Sequence, residues 1–428
     1  MKRVLIITYY WPPSGGAGVQ RWLKFVKYLR SFNWEPIVFT VENGEFPVLD
    51  YDLIKEIPDG LEVLKVPAWE PYKMYKLFSG KNKNEGINSG FLSEKKGSSF
   101  VESISKWVRG NLFIPDARKF WIKPANQFLN QYLQNNPVDV IISSGPPHST
   151  HLIALSLKNK FQIPWLSDFR DPWTNIDFYK DLKLTKTADK KHKKLENDVL
   201  VQSDIVLTIG KQLSKELKTL GAKRVEIIEN GFDPQDFLDN ANNELDEKFS
   251  IAHIGSFTPS RNHTVLWKAL SHLVDEQEEF KSKLEIKLIG KVDYSVLQSI
   301  KDFGLESYLK KIDYVSHNEV IKHQKTSKLL LLMVNNTPNA KGIITGKVFE
   351  YMASKRPILA IGPKDGDLGE ILTKTSSGLV CDYDNVENLS SKIWRIFKDD
   401  MKFENNISSY SRVKLTEKLV NLLNEVIS

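Results

Sequence analysis

The chain has 428 residues, 41% of them hydrophobic and 26% charged; that balance excludes a disordered chain, and the length suits two domains of roughly 200 residues each rather than one core. Its apolar runs fall short of the about 18 residues that a spanning helix needs, which excludes a membrane-embedded protein. A formal net charge of +7 favours anionic partners such as nucleotides, phosphates or lipid headgroups, while the scatter of the basic residues and the lack of a nucleic-acid module motif set nucleic acid aside.

The opening MKRVLIITYYWPPSGG starts like a secretory leader, with basic residues before an apolar stretch. The stretch is short, β-branched and aromatic and ends in Pro-Pro and glycines, so it reads as a first buried strand, 3–10. Further strands are predicted at 35–40, 61–67, 138–145, 164–169, 203–210 and 225–230, then at 249–255, 285–290, 328–334, 357–362 and 378–383. Runs that are apolar throughout, rather than alternating, mark strands buried on both faces, as in parallel sheets covered by helices. Helical patterns between them suit β-α units. The expected fold is α/β, with two doubly wound Rossmann-like domains facing a cleft.

The segment 79–99, rich in Gly, Ser, Asn and Lys, reads as a mobile loop in the first domain. The boundary is placed at 230–248, where Asn-Gly and Asp-Pro turn signals fall. Near 411–427, Leu415, Leu419, Leu422, Leu423 and Val426 share one helical face, so this last helix must pack, and the expectation is back across the first domain. The predicted division is 1–235, 245–405 and a terminal helix in 406–428. A single cysteine, Cys381 in GLVCDY, leaves no disulfide framework or cysteine-based metal site. It reads as a buried structural thiol and is consistent with a reducing, cytoplasmic location.

Five stretches carry chemistry. After strand one, WPPSGGAG brings Gly15, Gly16, Ala17 and Gly18 to the start of an amphipathic helix that begins near Val19. The glycines allow close backbone approach, and a helix N-terminus offers free N–H groups to an anion. The spacing is neither GxGxxG nor a Walker loop, and an ordinary tight turn has the same composition. At the end of strand four, SSGPPHSTH places His148 where the next helix begins, at a position that faces ligand in doubly wound sheets. His151 reads as a bystander on the same helix. SDFRDPW gathers Asp168, Arg170 and Asp171 just after an apolar strand. Such charges need partners or a ligand, and an internal salt-bridge network is the competing explanation.

In HIGSFTPSRNHT, Gly255, Ser256, Thr258 and Arg261 can present hydroxyls and a guanidinium to phosphate oxygens, with Lys291 closing the next strand. Alternatively Ser260 merely caps a helix. The densest stretch is NAKGIITGKVFEYMASKRPILAIG, in which Glu350 stands at an early helical turn with Lys347 three residues before it. A carboxylate is favoured there and can bind vicinal hydroxyls; an exposed Glu–Lys pair would look the same. DYD, 382–384, lies on an ordinary strand exit, so no metal site is expected.

Taken in order, the GGAG loop, the strand-end GPPH, the NGFD junction and the TGKVFEYMASKRPILAIG block resemble a retaining glycosyltransferase of the GT-B fold, family 4-like (glycosyl transferases group 1), over nearly the whole chain. The resemblance implies that Glu350 holds the ribose hydroxyls of a nucleotide sugar. It implies that Arg261, six residues past Gly255 and where lysine is more usual, binds the diphosphate. The donor-binding set becomes Glu350, Gly255, Ser256, Thr258, Lys291 and Gly346, with His148 on the transferred sugar and Gly16 and Ala17 facing phosphate or acceptor. His148, Arg261 and Lys347 are the implied catalytic residues, without cofactor or metal. Two positions depart from the pattern: Gly342 stands where a first glutamate holds the donor sugar, and Ser256 where an arginine often follows the glycine.

The implied reaction moves a sugar from a nucleoside diphosphate to a glycan or lipid-linked acceptor. Arg261 and Lys347 would stabilise the leaving diphosphate. Residues 101–125 interleave Trp107, Phe113, Phe120 and Trp121 with Lys106, Arg109, Arg118, Lys119 and Lys123. That mixture suits peripheral docking to an anionic membrane at the inner face, or equally a core with a solvated basic face.

Overall fold

The computed structural model describes residues 1–46, 48–69, 100–238 and 244–428, with the side chains of residues 17 and 100–105 outside that description. The loop predicted at 79–99 and part of the predicted junction lie outside the described residues.

The chain divides into two compact units, Met1–Glu229 with Arg412–Ser428, and Asn230–Ser411. In the first unit, seven strands run β1 Lys2–Thr8, β2 Trp34–Val41, β3 Glu62–Val66, β4 Val140–Gly145, β5 Trp165–Phe169, β6 Ile205–Thr208 and β7 Val225–Ile227. They form one sheet ordered β3-β2-β1-β4-β5-β6-β7, with every pairing parallel. Its helices are α1 Ala17–Leu29, α2 Phe100–Leu112, α3 Lys119–Asn135, α4 Ser149–Phe161, α5 Lys186–Gln202 and α6 Lys211–Thr219. Leu5 and Ile7 of β1 enter one core, with Ile141 and Trp165. Val4 and Ile6 enter the other, with Trp22 and Val26 of α1. A strand that fills a core on each face has to be apolar at every position, which is why these runs do not alternate.

In the second unit, six parallel strands are ordered β10-β9-β8-β11-β12-β13. They are β8 Phe249–Ile254, β9 Leu284–Ile289, β10 Leu309–Ile312, β11 Leu329–Met333, β12 Ile358–Ile361 and β13 Gly378–Cys381. The helices are α7 Thr264–Glu276, α8 Glu278–Lys283, α9 Tyr294–Asp302, α10 His317–Thr326, α11 Lys347–Ala353, α12 Asp367–Thr375 and α13 Val386–Phe397. Strand β10 is absent from the sequence prediction. Its Lys310 and Lys311 are exposed on the sheet edge, where a polar strand is tolerated and guards against pairing. Cys381 is fully buried in the core, as its apolar strand context suggests.

Helix α14, Arg412–Val426, belongs to the first unit. Leu415, Leu419, Leu422 and Leu423 pack with Val19, Trp22 and Val26 of α1. Both sheets reverse their strand order beside the first strand of the unit, between β1 and β4 and between β8 and β11. In doubly wound sheets ligands bind where the order reverses, outside the carboxyl ends of the strands. Among the described residues, no helix is long and apolar enough to cross a membrane.

Candidate functional site

In the second unit, β8 runs into Gly255 at φ 104 and β9 into Gly290 at φ 106. Side chains other than glycine avoid that region. The two exits touch, since a Cβ on Gly290 would sit 3.2 Å from the Gly255 carbonyl oxygen. Lys347 opens α11 and lies over the same turn: a Cβ on Gly255 would meet its Nζ at 2.7 Å. Burial, with the Arg261 charge adding to it and Glu350 pulling the other way, lowers the Lys347 amine to about 7. Among the described residues Lys347 has no carboxylate at ion-pair distance, so the Lys347–Glu350 pair expected as an alternative does not form. Glu350 instead accepts from Gln324 Nε2 at 3.0 Å, and neither Lys347 nor Glu350 is fully exposed.

Arg261 is aimed by its neighbours. Its Nε donates to Asn335 Oδ1 at 3.0 Å, and its terminal amino groups have no partner among the described residues. Asn335 is itself held on the exit of β11, where Tyr383 Oη donates to its carbonyl at 3.0 Å. Next to it, the Val334 carbonyl lies 2.7 Å from His263 Nε2, and the His263 ring meets Tyr383 edge-on at 4.8 Å. The result is one lysine and one arginine over a glycine turn at the β8/β11 switch point, the basicity of each depressed by burial and that of the lysine also by the arginine's charge. Such an arrangement can stabilise an anion such as a diphosphate.

The remaining predicted positions fall around this turn. Ser256 is exposed and Thr258 partly so; Thr258 Oγ1 pairs with Ser260 Oγ at 3.0 Å. Ser260 is not a helix cap: α7 starts at Thr264 with His263 at its N-cap, because Pro259–Arg261 forms a separate 3-10 turn. Lys291 is exposed, and its carbonyl accepts from Phe257 N at 2.8 Å. Gly346 immediately precedes α11. Gly342 ends a short 3-10 turn, Ala340–Gly342.

In the first unit the glycine loop and the β4 exit meet. Gly16, at φ 103, leads into α1, which starts at Ala17, two residues before the predicted Val19. A Cβ on Gly15 would press on Asp50 and Val48 at 3.2 Å, and one on Gly18 would run into Arg170 Nη1. Arg170 reaches over this turn while donating to the carbonyls of Gly145 at 3.1 Å and Pro146 at 2.6 Å. Burial lowers its pKa. Asp171 is exposed.

Asp168 does not face ligand. It is fully buried and pairs with Arg21 Nη2 at 2.9 Å. It also accepts from Arg21 Nε at 3.1 Å, Trp22 Nε1 at 2.8 Å and Ser144 Oγ at 2.9 Å. Arg21 further donates to the carbonyls of Ile228 and Glu229 at 2.9 and 3.0 Å. The internal-network explanation holds for this residue: it ties α1 to β5 and to the end of β7. Arg21 escaped the sequence reading, although it lies one helical turn before Phe25 on an apolar stripe and stacks on that ring at 5.2 Å.

His148 precedes α4 and is nearly buried, stacked on Trp173 at 4.5 Å with the rings 2° from parallel. Burial pushes its pKa well down, with His151, Arg170 and His192 adding to the shift. His151 is fully buried, stacked on Phe169 at 4.6 Å, and its Nδ1 lies 2.8 Å from Ser143 Oγ. The N-terminus of α4 is capped from elsewhere in the chain: Asp116 accepts from Ser149 N at 2.9 Å and Ser149 Oγ at 2.7 Å.

The aromatic and basic stretch around 106–125 is divided. Trp121 is core, stacked on Phe39 at 5.2 Å. Phe113 and Phe120 pair at 6.0 Å under the Lys119 ammonium, Phe120 meets Trp69 at 4.7 Å, and Trp69 and Trp107 are exposed.

Residues 234–414, nearly the whole second unit, match the family model Glycosyl transferases group 1. The second unit thus resembles a Glycosyl transferases group 1 domain. A stretch of 201 residues is 24% identical to an uncharacterised glycosyltransferase of Methanocaldococcus jannaschii, covering 46% of this chain and 51% of that protein, so the match spans about half the length of its relative. The whole chain is similar in structure to sucrose-phosphate synthase from Thermosynechococcus elongatus, with TM-score 0.66, 12% identity, and 100% and 99% of the two chains covered. It is likewise similar to Anabaena HepE in complex with UDP-glucose, with TM-score 0.63, 13% identity, and 99% and 100% covered. These likenesses give the fold as GT-B.

Proposed function

We propose that the protein is a retaining, metal-independent glycosyltransferase. It moves a hexosyl or N-acetylhexosaminyl group from a nucleoside-diphosphate sugar to a glycan or lipid-linked acceptor, in the synthesis of a cell-surface polysaccharide or glycoconjugate. The observation that carries this reading is the pairing of Lys347 with Arg261 over the Gly255 turn. Departure of a nucleoside diphosphate builds negative charge on the β-phosphate, and this pair supplies positive charge where a developing anion is favoured. Binding of that anion restores the ammonium form of Lys347, so the lysine's suppressed basicity works for the departing group. Glu350, one turn further along α11 and steadied by Gln324, would take the ribose hydroxyls. The first unit then takes the acceptor and the transferred sugar, through the loop from Gly15 to Gly18, Arg170 and His148. The exposed Trp69 and Trp107 with the basic residues of 106–123 support peripheral docking on an anionic inner-face membrane.

The test is a thermal-shift panel of UDP-, GDP-, ADP- and dTDP-sugars, followed by transfer assays with the sugar that stabilises the protein. Release of nucleoside diphosphate only when acceptor is present is the expected result. Sugar conversion without any acceptor would indicate an epimerase on this fold. Unchanged binding and transfer in Glu350→Ala and Arg261→Ala would refute the site.

A further inference from the structure

A hydrogen-bond chain inside the first sheet ends on two imidazoles. Trp165 Nε1 donates to Ser143 Oγ at 2.8 Å, and Ser143 Oγ lies 2.8 Å from His151 Nδ1. Ser143, Trp165 and His151 are all fully buried. An indole N–H can only donate, so Ser143 already accepts from Trp165. If His151 also donated to it, the hydroxyl hydrogen of Ser143 would be buried with no acceptor among the described residues, and such an orphan is costly. The hydroxyl therefore donates to Nδ1, and His151, held neutral by burial with its pKa near 3, carries its proton on Nε2.

That Nε2 and Nδ1 of His148 are both buried and neither makes a hydrogen bond, so the N–H on Nε2 lessens the same penalty only if Nδ1 of His148 is bare to face it. They face the same space: a Cβ on Gly145 would lie 2.5 Å from His151 Nε2 and 3.1 Å from His148 Nδ1. The two rings are clamped by their stacks on Trp173 and Phe169. A proton on His148 Nδ1 would confront the N–H of His151, whereas a bare Nδ1 is complementary to it. His148 Nε2 is not among the enclosed atoms.

We infer that Trp165, Ser143 and His151 form a tautomer lock which keeps the His148 proton on Nε2, so that His148 meets a ligand as a neutral hydrogen-bond donor and recognises a hydroxyl or phosphate oxygen. Trp165, Ser143 and His151 are positioning residues. Gly145 belongs to the device, because any side chain there would fill the space between the imidazoles. That the ligand oxygen belongs to a transferred sugar rests on the proposed glycosyl transfer; the lock itself does not.

The test is long-range proton–nitrogen correlation NMR on the full chain with 15N-labelled histidine at neutral pH, with His148→Gln and His151→Gln used to assign the signals. Both histidines are expected neutral and protonated on Nε2 in the wild type; a His148 protonated on Nδ1 would overturn the lock. In Ser143→Ala the two tautomers are expected to mix in both rings, and an unaltered His148 signal there would overturn the relay. The wild-type spectrum needs no variant, so the inference stays testable if Ser143→Ala does not fold. It also needs no substrate, so failure of every nucleotide sugar to bind would sink the transferase reading and leave this result standing.

Discussion

The amine of Lys347 lies against the bare Cα of Gly255, 2.7 Å from where a Cβ would stand. The glycine serves two ends here, since its backbone sits at φ 104 and its missing side chain lets a lysine from 92 residues downstream settle over the end of β8. Gly255→Ala is expected to cost about 1–3 kcal/mol of stability from backbone strain and to weaken nucleoside-diphosphate binding by displacing Lys347. Thermal unfolding and calorimetric titration with UDP and GDP read the two effects separately.

Nucleoside-diphosphate affinity should fall as pH rises above about 7. Lys347 has its pKa lowered from 10.5 to about 7 by burial and by Arg261, and the neighbouring His253 is held neutral mainly by its own burial. The free protein therefore gives up the lysine proton near neutrality, whereas a bound diphosphate holds it. Affinity then drops by up to about tenfold per pH unit above 7, and the diphosphate stays fully ionised across that range. Unfolding stability should move the other way, because between pH 7 and 10.5 the unfolded chain binds more protons than the folded one. Lys347→Met should flatten both profiles.

Arg261→Ala is expected to raise the Kd for nucleoside diphosphate by about 10- to 100-fold, as for loss of charge-assisted hydrogen bonds. Asn335→Ala should raise it less and leave the fold intact, because it removes only the acceptor that aims the guanidinium. Equal affinity in Asn335→Ala and the wild type would show that Arg261 needs no aiming.

Asp168→Ala should unfold the first unit rather than weaken binding selectively. Leaving Arg21 buried and unpaired costs about 3–5 kcal/mol. Burial pushes the Asp168 carboxyl up, but the charge and hydrogen bonds of Arg21, with Arg170 and Ser144, outweigh it and hold the carboxyl below its ordinary value. Its stabilising effect is thus complete above about pH 4 and lost as pH falls through the lowered value. Denaturant titrations at several acidic pH values should show this slope in the wild type and not in Asp168→Asn.

The sequence was most legible where one physical requirement acts on consecutive residues. A strand with a core on each face must be apolar through its middle, so RVLIITYY, KLLLLMV and PILAIG each announce a buried parallel strand. β10 escaped because an edge strand is free of that requirement, and its two central residues are lysines. The glycine turns were visible for a similar reason, since Gly16 and Gly255 take backbone angles that a side chain would oppose.

What the chain determined by itself is therefore the pair of doubly wound sheets and the segments that cap them, because hydrophobic burial and backbone sterics are local and periodic. Only the tertiary structure decided which polar side chains are partners. Asp168 and Arg21 stand 147 positions apart, and Arg261 and Asn335 stand 74 apart. In SDFRDPW the carboxylate of Asp168 and the guanidinium of Arg170 look alike as site candidates. Folding buries the first against Arg21 and lays the second over Gly18, because a charge is stable only where its counter-charge or water arrives, and long-range packing alone sets that arrival.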